Sequence, residues 1–182
     1  MSLTAILVGE HRVIESALAA LEEAVEKLGR GVSVRTGFFL DAAEFLRAFA
    51  DGCHHRKEEG VLLPAMMGHG FPMMTGPLAV ILAEHEKVRA HMRVMRDAAE
   101  ALDRGDRAAA ARVEAAAREC VTLLRRHMAK EEQALFPMAE SAITAAKHAG
   151  IAGELARAVR ERQAAHDRAA AAAAALQREM SN

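Results

Sequence analysis

Two stretches of this chain carry the same stripe, 74 residues apart. Leu7, His11, Ile14, Leu18, Leu21 and Val25 recur at spacings of three and four, and so do Ile81, His85, Val88, Met92, Met95 and Ala99. That period lines each set along one face of an α-helix and predicts that both faces are buried. A second repeat follows at an offset of 73. His54-His55-Arg56-Lys57-Glu58-Glu59 with Pro64 downstream matches His127-Met128-Ala129-Lys130-Glu131-Glu132 with Pro137 downstream. The chain therefore reads as two copies of one helix pair. Each pair brings one histidine on its first helix and a His-x-x-x-Glu on its second. Packed about a pseudo-two-fold axis, the pairs would meet with both sets at the centre of one bundle.

Composition agrees. Of 182 residues 42 are alanine, four are proline, and none is tryptophan or tyrosine. Such a chain forms helix readily and sheet poorly, which argues against an all-β or α/β fold. The expected helices run from Thr4 to Leu28, from about Ser33 to Met67 through Pro64, from Thr75 to Gly105, and from about Asp106 to Ala149, kinked at Pro137 and stopped by Gly150. An alanine-rich fifth runs from Gly153 to Met180. Short loops between long helices imply antiparallel neighbours. The expected fold is all-α, an up-down-up-down four-helix bundle over 1–149 with an additional C-terminal helix over 150–182.

The charge is balanced, with 24 Lys+Arg against 25 Asp+Glu. No basic stripe is interleaved with aromatic residues, so nucleic acid is not an expected partner. Cys53 and Cys120 do not suggest a disulfide framework. Glu10, His11 and Arg12 interrupt the apolar run after Leu3, which argues against a signal peptide. Val61 to Ala83 has no charged residue and enough length to cross a bilayer, but three prolines and three glycines break it into a helix end, a loop and a helix start. The expected protein is soluble and cytoplasmic, with no membrane partner.

The repeated residues carry the chemistry. Residues four apart on a helix are separated by about 40° around its axis. His54 and Glu58 can thus aim at one place, as can His127 and Glu131, while His11 and His85 sit inside apolar stripes. One such histidine is usually a hydrogen-bonded core residue, and one such His/Glu pair is usually a surface pair. Six at repeat-related positions point instead to metal, because ligation removes the cost of burying them. Imidazole with carboxylate suits iron, zinc or manganese. Four imidazoles and two carboxylates suit two ions, each with two histidines, bridged by both glutamates.

Glu10-His11-Arg12, His54-His55-Arg56-Lys57-Glu58-Glu59, Glu84-His85-Glu86 and the run from His127 to Pro137 together resemble the hemerythrin-like, HHE cation-binding domain over about residues 3 to 140. The resemblance implies a non-haem di-iron centre, oxo- or hydroxo-bridged. It implies His11, His54, His85 and His127 as terminal ligands and Glu58 and Glu131 as bridges. Zinc or manganese is the less favoured cofactor. Oxygen carriers of this kind have another histidine four after the one on the third helix; here that residue is Arg89. Both ions would then keep an open position, which favours a reactive or sensing centre over a reversible carrier.

A fifth protein ligand would change that count, and His55, Glu15, His91 and His69 are the candidates. His55 lies about 100° from His54 on an ideal helix, which places it at the surface or behind the ligands unless Asp51-Gly52 distorts the helix there. Glu15, whose repeat partner is Arg89, is expected behind the ligands or in a salt bridge, His91 exposed, His69 in a Gly/Met loop where it could line an entrance, and His148 and His166 at the surface. The leading functional expectation is a protein that binds or reacts with oxygen, nitric oxide or hydrogen peroxide. Nothing in the pattern requires turnover. The alternative is an iron or redox sensor whose metal state alters helix packing, with the fifth helix as output or as the contact of a homodimer. The Glu-x-x-His pattern of ferritin-like iron oxidases is absent.

Overall fold

A computed structural model describes residues 2–181, and among these there is no strand. Six helices follow in order: α1 (Ala5–Gly29), α2 (36–67), α3 (Gly76–Asp103), α4 (109–142), α5 (Ala145–Glu161) and α6 (Gln163–Ser181). The first four form the expected bundle. Its helices meet as α1 with α4, α2 with α3, and α3 with α4. The remaining edge is different: α6 lies in the groove between α1 and α2 and touches both. Among the described residues no helix is long and apolar enough to cross a membrane.

Helix α2 is not α-helical throughout. Leu46–His55 and Glu58–Leu62 are π-helical, and so is Glu131–Leu135 within α4. Two of these wide turns end two residues before Pro64 and Pro137, each the second residue of the following α-helical segment. A proline inside a helix has no N–H to donate and crowds the carbonyl four residues back. The extra residue of a π turn takes up that misfit. Pro137 thus leaves α4 helical rather than broken.

Three boundaries differ from the sequence-based expectation. Helix α2 starts at Thr36, after extended Arg35, and not at Ser33. Helix α4 ends at Ala142, where Ile143 and Thr144 turn to extended backbone. Gly150 and Gly153 therefore lie inside α5 instead of bounding a helix. The single fifth helix is two, meeting at Arg162. Asp106 does act near the start of α4, accepting the N–H of Ala108 at 3.0 Å.

The core is two apolar clusters. One holds Ile14, Leu18, Phe49, Val88, Met92 and Leu124, and it takes in Ala169, Ala173, Leu176 and Met180 from α6. The other holds Leu7, Leu62, Met66, Ile81, Leu135 and Phe136. On every bundle helix the repeated His or Glu falls between a residue of one cluster and a residue of the other. The apolar face of α6, expected as a homodimer contact, is buried against the chain's own helices.

Candidate metal centre

Four helices deliver seven side chains to the layer between the apolar clusters. His11, His54, Glu58, His85, His127 and Glu131 are all buried, as is His55. His11 Nε2 lies 3.2 Å from Glu131 Oε2, and His54 Nε2 lies 3.6 Å from Glu58 Oε1. Across the layer, His85 Nε2 is 3.2 Å from Glu58 Oε2, and His127 Nε2 is 3.0 Å from Glu131 Oε1. Close as they are, Nε2 of His85 and His127 and all four oxygens of Glu58 and Glu131 have no aligned hydrogen-bond partner. They converge on common points rather than on one another.

Two such points can be read. The ligand atoms of His11, His54, Glu58 and Glu131 all lie within 4.8 Å of one another, and so do those of Glu58, His85, His127 and Glu131. Both glutamates belong to both sets. For bonds of about 2.0–2.2 Å, opposite ligands of one ion stand about 4.2 Å apart, so each set fits a single cation. Burying these groups without one would cost several kcal/mol per unpaired charge, roughly.

Behind the centre stands a second layer with the same symmetry. Each imidazole donates its Nδ1–H to a glutamate of another helix: His11 to Glu132 at 2.8 Å, His54 to Glu10 at 3.1 Å, His85 to Glu59 at 2.7 Å and His127 to Glu84 at 3.1 Å. Each glutamate in turn meets a cation. Arg12 reaches Glu132 at 3.3 Å, Lys57 reaches Glu10 at 2.8 Å, Arg89 reaches Glu59 at 2.7 Å, and Lys130 reaches Glu84. A carboxylate on Nδ1–H fixes the tautomer and leaves the Nε2 lone pair facing the centre. The Nε2 atoms of His11 and His54 face each other at 3.0 Å, a contact that needs a proton or a cation between them.

The family model for the hemerythrin HHE cation-binding domain matches residues 2–139 and, in a second overlapping match, 77–181. The chain belongs to the hemerythrin HHE cation-binding domain family. No curated protein and no solved structure matches it. The first match ends where the sequence resemblance ends, and the second runs on through the C-terminal helices. Within this HHE domain every letter of the duplicated His-x-x-Lys-Glu-Glu now has a place. The histidine and first glutamate face the centre, the lysine neutralises Glu10 or Glu84, and the second glutamate holds the histidine of a neighbouring helix. Glu10, Glu84, Lys57, Lys130, Glu59 and Glu132 were visible in the repeat, but only their repetition, and no single spacing, marks them.

Charge in the HHE centre is set by competition between burial and the opposite charges that face each group at close range. Burial opposes the charged form of His85, but Glu131, Glu58 and Glu59 outweigh it and push its pKa up to about 11. Burial likewise opposes charge on His11 and His127, and Glu131 raises both. Burial works against ionised Glu131, yet His11 and His127 hold it well below the usual carboxylate range. Hydrogen bonding from His85 brings Glu59 down to about 2. Without metal the centre stores protons in a metal's place.

The other candidates separate clearly. His55, expected at the surface or behind the ligands, is fully buried and stacks on His85 with ring centroids 3.9 Å apart. Glu15 pairs with Arg125 at 2.9 Å, as expected, and takes no part. His69 donates to Ala65 O and stands apart from the centre, and His91 is half-buried outside it. His148 bonds Ile143 O. His166, expected at the surface, is partly buried, 3.6 Å from Glu10 Oε1 and edge-on to Phe49 at 5.1 Å. Cys53 and Cys120 are buried free thiols.

Proposed function

We propose that this HHE domain is a non-haem di-iron protein that binds or reacts with a small molecule such as oxygen, nitric oxide or hydrogen peroxide. The observation that carries this reading is the convergence of unpartnered buried nitrogens and carboxylate oxygens on two points that share both glutamates. His11 and His54 would hold one iron, His85 and His127 the other, and Glu58 and Glu131 would bridge them. Iron bound there supplies redox chemistry and Lewis acidity. The chain's own part is positioning. The four carboxylates on Nδ1–H lock the imidazoles, and the apolar clusters above and below keep bulk water out of the layer. Neither requires turnover.

Metal analysis with an absorption spectrum tests the proposal. Two irons per chain with near-ultraviolet charge-transfer bands are expected, and no Trp or Tyr is present to mask them. Wild-type protein that takes up no iron, with His127→Ala as stable as wild type, would overturn it.

A sensing role gains support from one contact. His166 of α6 touches Glu10, whose other oxygen holds His54. A change of metal state at His54 would thus reach the C-terminal helices through a single carboxylate.

A further inference from the structure

Outside the buried layer, the two copies of the repeat differ along one face of α2. At the offset of 73, Gly52 and Gly60 stand where the second copy has Arg125 and Gln133, and Arg56 stands where it has Ala129. These three residues line one cavity of about 370 Å³, whose opposite wall is the end of α5 with His166 of α6. The space follows from the packing. Leu155 is the buried side chain of α5, and Ala158 and Val159 beyond it are too small to fill the gap to α2. Cavities of this size hold small organic molecules.

The lining has an apolar wall and an unbalanced set of charges. Val61, Ala158 and Val159 form the wall, together with buried Cys53. Lys57 and Glu59 also line the cavity, but their charges are already met, Lys57 by Glu10 and Glu59 by His85 and Arg89. Arg56, Arg162 and Glu161 remain. Among the described residues neither Arg56 nor Glu161 has an ion-pair partner. Arg162 gives one N–H to Gly52 O at 3.0 Å, which fixes its guanidinium at the cavity, and no carboxylate of the described residues pairs with it. Two guanidinium groups against one carboxylate leave a surplus of one positive charge. Guanidinium matches the planar, two-oxygen edge of a carboxylate. A phosphate dianion would bring one charge too many beside Glu161 and leave the apolar wall bare.

We propose that this cavity binds one small organic monocarboxylate, its carboxylate at Arg56 and Arg162 and its apolar body along Val61, Ala158 and Val159. The site lies outside the His/Glu layer and asks nothing of a metal. It does share a wall with the outer charges of that layer: Lys57 neutralises Glu10 behind His54, and Glu59 stands behind His85. The C-terminal helices thereby complete a pocket that the four-helix bundle alone does not have. The second copy offers no counterpart, because Lys130, at the place of Lys57, is 42% exposed and uncovered.

Calorimetric titration of the full-length protein with octanoate tests the proposal, its metal content left as isolated. One octanoate per chain is expected, with octanol and inorganic phosphate each at least about tenfold weaker. Arg56→Ala, which copies Ala129, should weaken octanoate at least about tenfold and leave octanol unchanged. Gly60→Phe should weaken both, since a Cβ at Gly60 meets nothing within 4 Å and the ring can occupy the cavity. Arg168→Ala, in the neighbouring groove between α2 and α6, should bind octanoate as wild type does. Absence of octanoate binding overturns the proposal. Octanol as tight as octanoate reduces the cavity to an apolar crevice, and phosphate as tight reduces it to a bare anion site; either result overturns it. Equal losses in Arg56→Ala and Arg168→Ala place the ligand elsewhere and do the same. The wild-type comparison of the three probes decides even if a variant misfolds. None of these outcomes bears on metal uptake, so the proposal can fail with the metal centre standing.

Discussion

Lys57→Met should unsettle the protein far more than Lys130→Met, although the two lysines hold the same place in the repeat. Each ammonium neutralises the glutamate that orients a histidine of its own helix. Lys57 is 2.8 Å from Glu10, and the two side chains are 5% and 3% exposed; Lys130 and Glu84 are 42% and 11% exposed. The difference arises because α5 and α6 cover the α1–α2 side and nothing comparable covers the α3–α4 side. Lys57 also donates to Cys53 O at 2.6 Å. Removing one partner of a buried ion pair costs about 3–5 kcal/mol, since the other charge stays behind without water. An ion pair with an exposed partner is worth about 0–1 kcal/mol. The two variants should therefore differ by at least about 2 kcal/mol, at the upper end of a 5- to 30-fold range in the folding equilibrium, roughly. Methionine keeps the length and the apolar stem, so packing is not the variable. Urea unfolding of metal-free protein, followed by far-ultraviolet circular dichroism because the chain has no tryptophan, measures the difference. Equal losses for the two variants would refute the reasoning that burial by the C-terminal helices decides the cost.

Three further outcomes are expected. Metal loading at neutral pH should expel protons from His11, His85 and His127, whose pKa values are raised in the metal-free centre; calorimetry in two buffers of different ionisation enthalpy reads the number, and a buffer-independent heat counts against stored protons. Metal-free protein should lose stability on both sides of a window from about pH 4.5 to 6.5. His85, raised from 6.5 to about 11, contributes fully below 6.5 and loses its contribution as pH rises toward 11, whereas Glu59, lowered from 4.5 to about 2, contributes above 4.5 and loses its contribution as pH falls toward 2; a thermal midpoint that climbs from pH 7 to 10 contradicts this. Trypsin should cut at Arg160 and Arg162, where α5 meets α6, faster without metal than with it, and digestion indifferent to metal removes the sensing role.

The repeat made the bundle and six of the side chains in the layer legible, because a helix stripe and a four-residue spacing survive translation into three dimensions unchanged. His55 was only half legible: it stood among the candidate ligands, but nothing in the pattern fixed the way it faces. Its direction depends on a π-helical segment that no proline announces, and an ideal α-helix turns it away from His54. The split between α5 and α6 was equally hidden, since Arg162 carries none of the glycine or proline that usually marks a break, while Gly150 and Gly153, which do, lie within a helix. The outer glutamates and lysines form an intermediate case. Any one of them reads as a solvated helix charge, and only the repetition of the whole motif shows that they work as a set.

Three departures from two-fold symmetry fall on the same half. The π segment without a proline, the extra histidine and the covering C-terminal helices belong to α1 and α2 or pack on them, while α3 and α4 keep the plainer version. His55 fills the space beside His85 and His127, where the second copy has Met128, and α6 covers the carboxylate behind His54. That cover ties one side of the layer, through Glu10 and His166, to the C-terminal helices. The other side has no such link: Glu84, behind His127, meets the half-exposed Lys130. Any signal that the proposed centre passes to α5 and α6 should therefore originate on the side of His11 and His54.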